Sequence, residues 1–547
     1  MEKIFETKTP FDRFGLMLDC SRSGVMSVEA TKRMIDLMEG MDYNMLMLYT
    51  EDTYEVEGQP YFGHLRGRYK KEELKELDAY AKAHGVELVP CIQTLAHLFC
   101  LQHWPAYWDY ADFQEVLMVG DEKVYKLIED MFATLAECFT SRLVNVGMDE
   151  ARWLGLGAYL AKHGYRNRVE ILCEHLQRVS EIGKKYGFTL CMWSDMFFKL
   201  ATKSGGWIGD KCGEIDASVS EMIPDNVRLI YWDYYSKDKK HYDNWLEGHE
   251  KLKEGTMFAG GLWTWRGFAP HNKYSIEIGK AATQSCFEHK TKDVIYTVWG
   301  DDGMETSRFS VLPAMFHNAC FAHGINDEAE IKAKFEKHFG IAFDDFMLLD
   351  LPGTPNDKGD HADPEKYMFY CDCFLGKFDL NVCPDDAKQY AAVAEKLAPL
   401  GENKDFGKLF SSMQALCEAL AIKFDLGVRT REAYLSGDKE KIRAILGDYD
   451  ELVIRVERFY EEFRARWLWE NKPHGFEVHD ARLGGLMNRL RHLKKRLEDY
   501  IDGRLERIEE LEEPVLDWEG RGTFVPDEEK HSFEYNSWSM VTTLGVM

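Results

Sequence analysis

Residues 142–151 read Arg142-Leu-Val-Asn-Val-Gly-Met-Asp-Glu-Ala151: an apolar strand that reaches a glycine and then presents Asp149 and Glu150 side by side. A buried strand ending this way sets charge at the lip of a sheet, and in a parallel barrel that lip is where reacting groups stand. Alone the pair carries little weight. The chain has 94 Asp and Glu, and adjacent acids arise readily in solvated turns. The pattern on either side gives the pair its meaning.

Outward from this strand, short apolar runs recur at 14–19, 44–49, 87–92, 189–194, 228–233, 257–263 and 294–300, with 143–148 the fourth of eight. Amphipathic segments lie between them, among them 27–39, 71–84, 122–138, 168–185 and 276–289. The strands are almost continuously apolar, as a parallel sheet covered on both faces requires. His84-Gly85, Tyr186-Gly187 and Glu254-Gly255 are helix stops placed ahead of strands. Eight strand–helix repeats over about 310 residues predict an α/β fold, a (β/α)₈ barrel occupying 1–330. A doubly wound sheet is the alternative, but no glycine-rich phosphate loop follows the first strand. The connections after strands three and five exceed a minimal link, which on that side of a barrel shapes a pocket. Near residue 330 the character changes. Leu351-Pro-Gly-Thr-Pro-Asn-Asp-Lys-Gly-Asp360 interrupts the chain, and charged helical patterns follow, the last at 482–511. We expect an α-helical C-terminal domain over 331–547 whose charge runs are solvated faces. Its apolar stripes either pack on the barrel, form a homodimer interface, or supply one rim of the site, with Trp467 and Trp469 as core anchors or part of such a contact.

Composition narrows the function. A net charge of −26 argues against nucleic acid or an anionic membrane as partner. No apolar run approaches a membrane helix, and the opening residues carry no secretory pattern. The 13 Cys show no disulfide-framework spacing, so reduced thiols and a cytoplasmic location are expected.

The strand ends form a coherent set. Strand one ends Asp19-Cys20-Ser21-Arg22; strand two runs into Glu51 and Asp52; strand three reaches Gln93 and His97. Strand five delivers Trp193 and Asp195, strand six Trp232, Asp233, Tyr234 and Tyr235, strand seven Trp263 and Trp265, and strand eight Trp299, Asp301 and Asp302. A single strand tryptophan belongs in the core. Four consecutive strands ending in tryptophan beside acids instead suit a sugar, whose C–H faces pack on indole while its hydroxyls donate to carboxylates. Metal-assisted hydrolysis needs several histidines, and only His97 is suitably placed, so no metal or other cofactor is expected. Ser194 and Cys20 have no histidine partner recognisable in sequence.

Gly147-Met148-Asp149-Glu150 resembles the Gly-x-Asp-Glu signature of family 20 glycoside hydrolases, the β-N-acetylhexosaminidases. The similarity runs from residue 11 to about 322 and includes Gly15-Leu-Met-Leu-Asp-Cys-Ser-Arg22, Asn44 to Asp52, Pro90 to His97, Met192-Trp193-Ser194-Asp195 and Trp299-Gly300-Asp301. Trp467-Leu-Trp-Glu-Asn-Lys-Pro-His-Gly475 and Arg482-Leu-Gly-Gly485 are similar to the C-terminal domain of the family's intracellular bacterial branch. The resemblance implies substrate-assisted retention, an exception to the two-carboxylate scheme; the expected substrate is a small glycoside or oligosaccharide. Glu150 would be the acid/base, its proton retained through burial beside Asp149 and indoles. Asp149 would orient the substrate's acetamido group. Trp193, Trp232 and Trp263 would wall the acetamido pocket, Trp299 would carry the sugar face, and Asp301 would hold the 4- and 6-hydroxyls. The sequence departs from the family in three places: Phe14 where an Arg commonly precedes the first-strand glycine, Asp301 for a usual Glu, and Thr264 for a frequent Tyr. Tyr234 or Tyr235 would then supply the acetamido hydrogen bond. These changes leave the GlcNAc versus GalNAc preference open, and no small α/β domain is expected ahead of the barrel. Two alternatives are a retaining glycosidase using Asp301 or Glu305 as nucleophile, and a non-catalytic sugar-binding barrel.

Overall fold

The computed structural model describes residues 4–202, 212–354, 362–527, 529–530 and 538–542, so residues 355–360 of the Pro/Gly/Asp-rich stretch lie outside it. The chain forms two compact units. One comprises Met1–Leu262, Ser275–Val298 and Ala314–Lys334; the other comprises Trp263–Tyr274, Trp299–Pro313 and Phe335–Met547. The division assigns the segments after the seventh and eighth strands to the second unit.

The first unit holds a closed parallel barrel of β1 (Arg13–Asp19), β2 (Met45–Tyr49), β3 (Glu87–Cys91), β4 (Leu143–Asn145), β5 (Thr189–Trp193), β6 (Val227–Trp232), β7 (Met257–Gly261) and β8 (Asp293–Val298), each paired with its sequence neighbour and β8 with β1. Nearly every strand residue is buried, which explains the unbroken apolar runs. Helices α1 (Val28–Gly40), α2 (Lys71–Ala83), α3 (Glu122–Cys138) and α4 (Arg168–Lys185) follow the first four strands. Side chains cap α3 and α4: Asp121 accepts from the Lys123 amide at 3.1 Å and Asn167 from the Val169 amide at 3.0 Å. The expected stop after α2 is present, with Gly85 at φ +71°.

Charged side chains meet at the strand starts. Arg13 Nε lies 3.0 Å from Glu87 and its Nη1 3.5 Å from Asp293, which also pairs with Arg228. This end reads as structural, and it removes Arg13 from any role at the strand ends. The segment after β3 contains two 3₁₀ turns and a hairpin of Ala111–Phe113 with Val116–Leu117.

In the second unit, helix Gly407–Lys423 packs against both Asp386–Leu397 and Lys439–Glu470, and the latter against Glu477–Ile501. Trp467 is fully buried among the rings of Phe463, Phe476 and His479. Trp469 lies against Phe309. The last long helix begins before and ends short of the expected 482–511, because Gly503 turns left-handed at φ +74°. No helix among the described residues is long and apolar enough to cross a membrane.

Candidate active site

β4 stops three residues before the sequence reading places its end, and the reason is the turn that carries the acids. Gly147, Met148 and Glu150 have φ of +72°, +69° and +50°. Left-handed non-glycine residues cost about 1–3 kcal/mol each and persist only where neighbours enforce them. Here three side chains do so, one from β4 itself and two from neighbouring segments. Asn145 Oδ1 accepts the Gly147 amide at 2.9 Å, Gln93 Oε1 the Met148 amide at 3.0 Å, and Asp195 Oδ2 the Glu150 amide at 3.1 Å. Residue 147 must be glycine for a second reason: a Cβ there would stand 2.1 Å from Gln93 Oε1.

Asp149 is buried and gripped. Gln93 Nε2 donates to its Oδ1 at 2.6 Å and to the Tyr49 hydroxyl at 3.0 Å; His97 Nε2 stands 3.2 Å from Oδ2, an ion pair whose angle falls short of a hydrogen bond. Tyr49 donates to Glu51, which pairs with Arg22 at 3.1 Å. A polar chain thus runs from the loop after β1 to the end of β4. Burial alone would raise the Asp149 carboxyl, but the His97 charge, together with the donors around it, holds it below the usual range. Burial would likewise depress His97, and Asp149 outweighs it, pushing the imidazole up to about 9. A raised folded-state value means the pair contributes fully below about pH 6.5, the free imidazole value, and its contribution is lost as pH rises through about 9. The melting temperature of the native protein should therefore fall more between about pH 6 and pH 9.5 than that of His97→Gln, by scanning calorimetry. Equal falls would show that the pair adds no stability.

Glu150 differs from expectation. Its side chain is 35% exposed rather than buried, with His97 Nε2 at 3.9 Å, Arg152 Nη2 at 3.2 Å and Lys199 Nζ at 3.7 Å. The left-handed turn displays it at the lip. Lys199, from the short helix Asp195–Ala201, is held by Asp195 at 2.8 Å and lies 5.8 Å over the Trp232 ring. Burial first, then the charge of Asp149, raises the Asp195 carboxyl against the opposing pull of Lys199.

The other expected residues divide. Trp193 is fully buried, and its amide bonds the Gly147 carbonyl at 3.2 Å. Trp232 stacks on Tyr234 at 5.3 Å, and Tyr234 meets Tyr235 at 5.9 Å. Asp52 pairs with Arg66 at 2.9 Å, while its neighbour Glu51 joins the acids' chain of contacts. In the second unit Trp263 and Trp265 stack at 4.2 Å, the Thr264 hydroxyl donates to the Trp299 carbonyl at 2.6 Å, and Asp301 is half-buried. Glu305 is buried with Lys366 at 2.8 Å and Arg482 at 2.9 Å. Ser194 does meet a histidine, His249, at 2.8 Å, but both are sealed from solvent and His249 is pushed down to about 3 by burial, so the pair fills a hydrogen-bonding need in the core. Among the described residues no group of three or more His, Cys, Asp or Glu side chains is arranged to hold a metal. Sequence reasoning placed Gln93 at the end of the third strand without a partner, and it did not single out Tyr49 or Lys199.

A parallel barrel whose fourth strand ends in one anchored and one displayed carboxyl has the layout of an acid–base site. The chain matches the family model described as glycosyl hydrolase family 20, catalytic domain, over residues 11–254, and that of the glycoside hydrolase 20C C-terminal domain over 344–529. It belongs to glycoside hydrolase family 20. Among similar proteins, beta-hexosaminidase 3 of Arabidopsis thaliana is 24% identical over 246 residues, 41% of this chain and 46% of that one. Hexosaminidase D of Bos taurus is 25% identical over 243 residues, 42% of this chain and 63% of that one. The chain thus spans about half to two thirds of these relatives. Of solved structures, the beta-N-acetylhexosaminidase from Bacteroides fragilis has 17% identity and a TM-score of 0.46, covering 60% of this chain and 70% of that one.

Proposed function

We propose that this chain is an exo-acting β-N-acetylhexosaminidase that removes terminal, non-reducing β-linked GlcNAc or GalNAc from glycosides by substrate-assisted retention. The supporting observation is the division of labour at the end of β4: Asp149 is buried and held ionised, while adjacent Glu150 is partly open to solvent. A carboxylate has about four acceptor positions. Gln93 and His97 face one oxygen each, which leaves capacity for the substrate's acetamido N–H. With that N–H bound, the acetamido oxygen is directed at the anomeric carbon and attacks it from the face opposite the leaving group. Glu150 gives its proton to the departing glycosidic oxygen as the C–O bond breaks, leaving an oxazolinium ion whose charge Asp149 offsets. Water then attacks the anomeric carbon, Glu150 takes its proton, and the acetamido group is restored.

For Trp193, Trp232, Tyr234 and Tyr235 as walls of the acetamido pocket, the support is their place at the ends of β5 and β6 and the ring cluster around Trp232. For Trp263, Trp265, Trp299 and Asp301 it is their place just after β7 and β8 together with family membership. The lack of disulfide-framework spacing favours action in the cytoplasm. A protein nucleophile has less support, since Glu305 is engaged by two cations and the Tyr370 hydroxyl. A thiazoline analogue of the oxazolinium ion should inhibit at micromolar concentration or below, and an aryl β-glycoside with hydroxyl in place of acetamido should react at least about 100-fold more slowly. Equal rates on both glycosides, with no thiazoline inhibition, would overturn the reading.

A further inference from the structure

Exposure on the barrel unit is concentrated in one sector. Among its described residues, every large apolar side chain standing open to solvent lies between Tyr61 and Tyr165, in the loops after β2, β3 and β4, and these strands are barrel neighbours. Six of the eight are aromatic. Single exposed apolar residues are ordinary, but a set confined to three adjacent loops at the strand ends marks a ligand-facing surface. Within it, Trp153 stands three residues past Glu150. Trp153 is 48% exposed, and its ring centroid lies 5.3 Å from that of Phe113, with the planes tilted by 48°.

This pair is rigidly held. Asp112, beside Phe113, accepts the amides of Gly155 at 2.6 Å, Gly157 at 3.2 Å and Tyr159 at 2.8 Å, fastening the loop after β3 to the loop after β4. The two backbones approach so closely that a Cβ on Gly157 would meet the Asp112 carbonyl oxygen at 2.2 Å. Arg152, between the acid and the indole, reaches Glu150 Oε1 at 3.2 Å. A fixed loop that leaves two aromatic rings in water leaves apolar area for something else to cover.

Resting on the acid–base reading of Glu150, we propose that Trp153 and Phe113 form a stacking platform for the leaving-group sugar, so that the substrate is an oligosaccharide rather than a glycoside of a small alcohol. The proton donor faces the glycosidic oxygen, so the leaving portion extends past Glu150, toward the segment that carries Trp153. The aromatic character of the sector suits the C–H face of a pyranose.

In Trp153→Ala, the ratio of kcat/KM for a β-linked N-acetylhexosaminyl disaccharide to that for the methyl β-N-acetylhexosaminide should fall about tenfold, the worth of one aromatic contact. Phe113→Ala should shift the ratio the same way, and Trp153→Phe should restore most of it. An unchanged ratio in both alanine variants would overturn the platform. So would an unchanged ratio combined with conversion of a dimer to a monomer, which would assign the sector to a second copy of this chain. A native protein that cleaves neither substrate would instead remove the acid–base reading beneath it.

Discussion

Glu150→Gln should lower kcat on a β-linked disaccharide by about 10³-fold or more, with little change in melting temperature. The amide has the shape of the carboxyl but neither gives nor takes the proton. Because the side chain is partly exposed and its backbone is fixed by Asp195, the substitution leaves the turn and the Asp149 contacts standing. The defect should depend on the leaving group. A nitrophenolate departs with little protonation, so its bond cleavage suffers less than that of a sugar alkoxide, and steady-state kinetics on both substrates should show the difference. Retention of most disaccharide activity would remove Glu150 from the acid/base role.

The second large effect is expected at Asp149→Asn, a loss of about 10²–10³-fold in kcat/KM together with weakened thiazoline inhibition. Asparagine removes the negative charge opposite the developing oxazolinium. It also disturbs the pocket, since Gln93 Nε2 already donates to one oxygen, and an NH₂ placed on that side would meet a donor. Without its partner, burial would return His97 to neutrality near pH 7. Similar losses on substrates with and without the acetamido group would argue that Asp149 acts on the general charge balance rather than on the substrate's amide.

Much of the architecture was legible before any coordinates. Seven of the eight strands end within about two residues of the sequence expectation, and the helices Glu122–Cys138 and Arg168–Lys185 fall where the periodicity places them. These elements bury themselves along one face or two, so the apolar pattern alone defines them. The fourth strand was the exception because its end is set by contacts across the barrel. Gln93 and Asp195, 55 and 45 residues distant from the amides they accept, stabilise a left-handed turn that local preference disfavours. The same holds for the final long helix, where a glycine stop decided an end that charge patterning blurred.

By itself, then, the chain determined the repeat of buried strands and amphipathic helices, the identity of the paired acids and the aromatic character of the strand ends, because burial and short-range periodicity act on neighbours in sequence. Tertiary structure alone decided that Asp149 is anchored while Glu150 is displayed, that Glu51 rather than Asp52 joins the polar chain, that Arg13 pairs with Glu87 and Asp293, and that Phe113 meets Trp153. Each of these depends on which side chains from distant segments converge at the strand ends, and hydrogen bonds and ion pairs of that kind leave no periodic trace in the sequence.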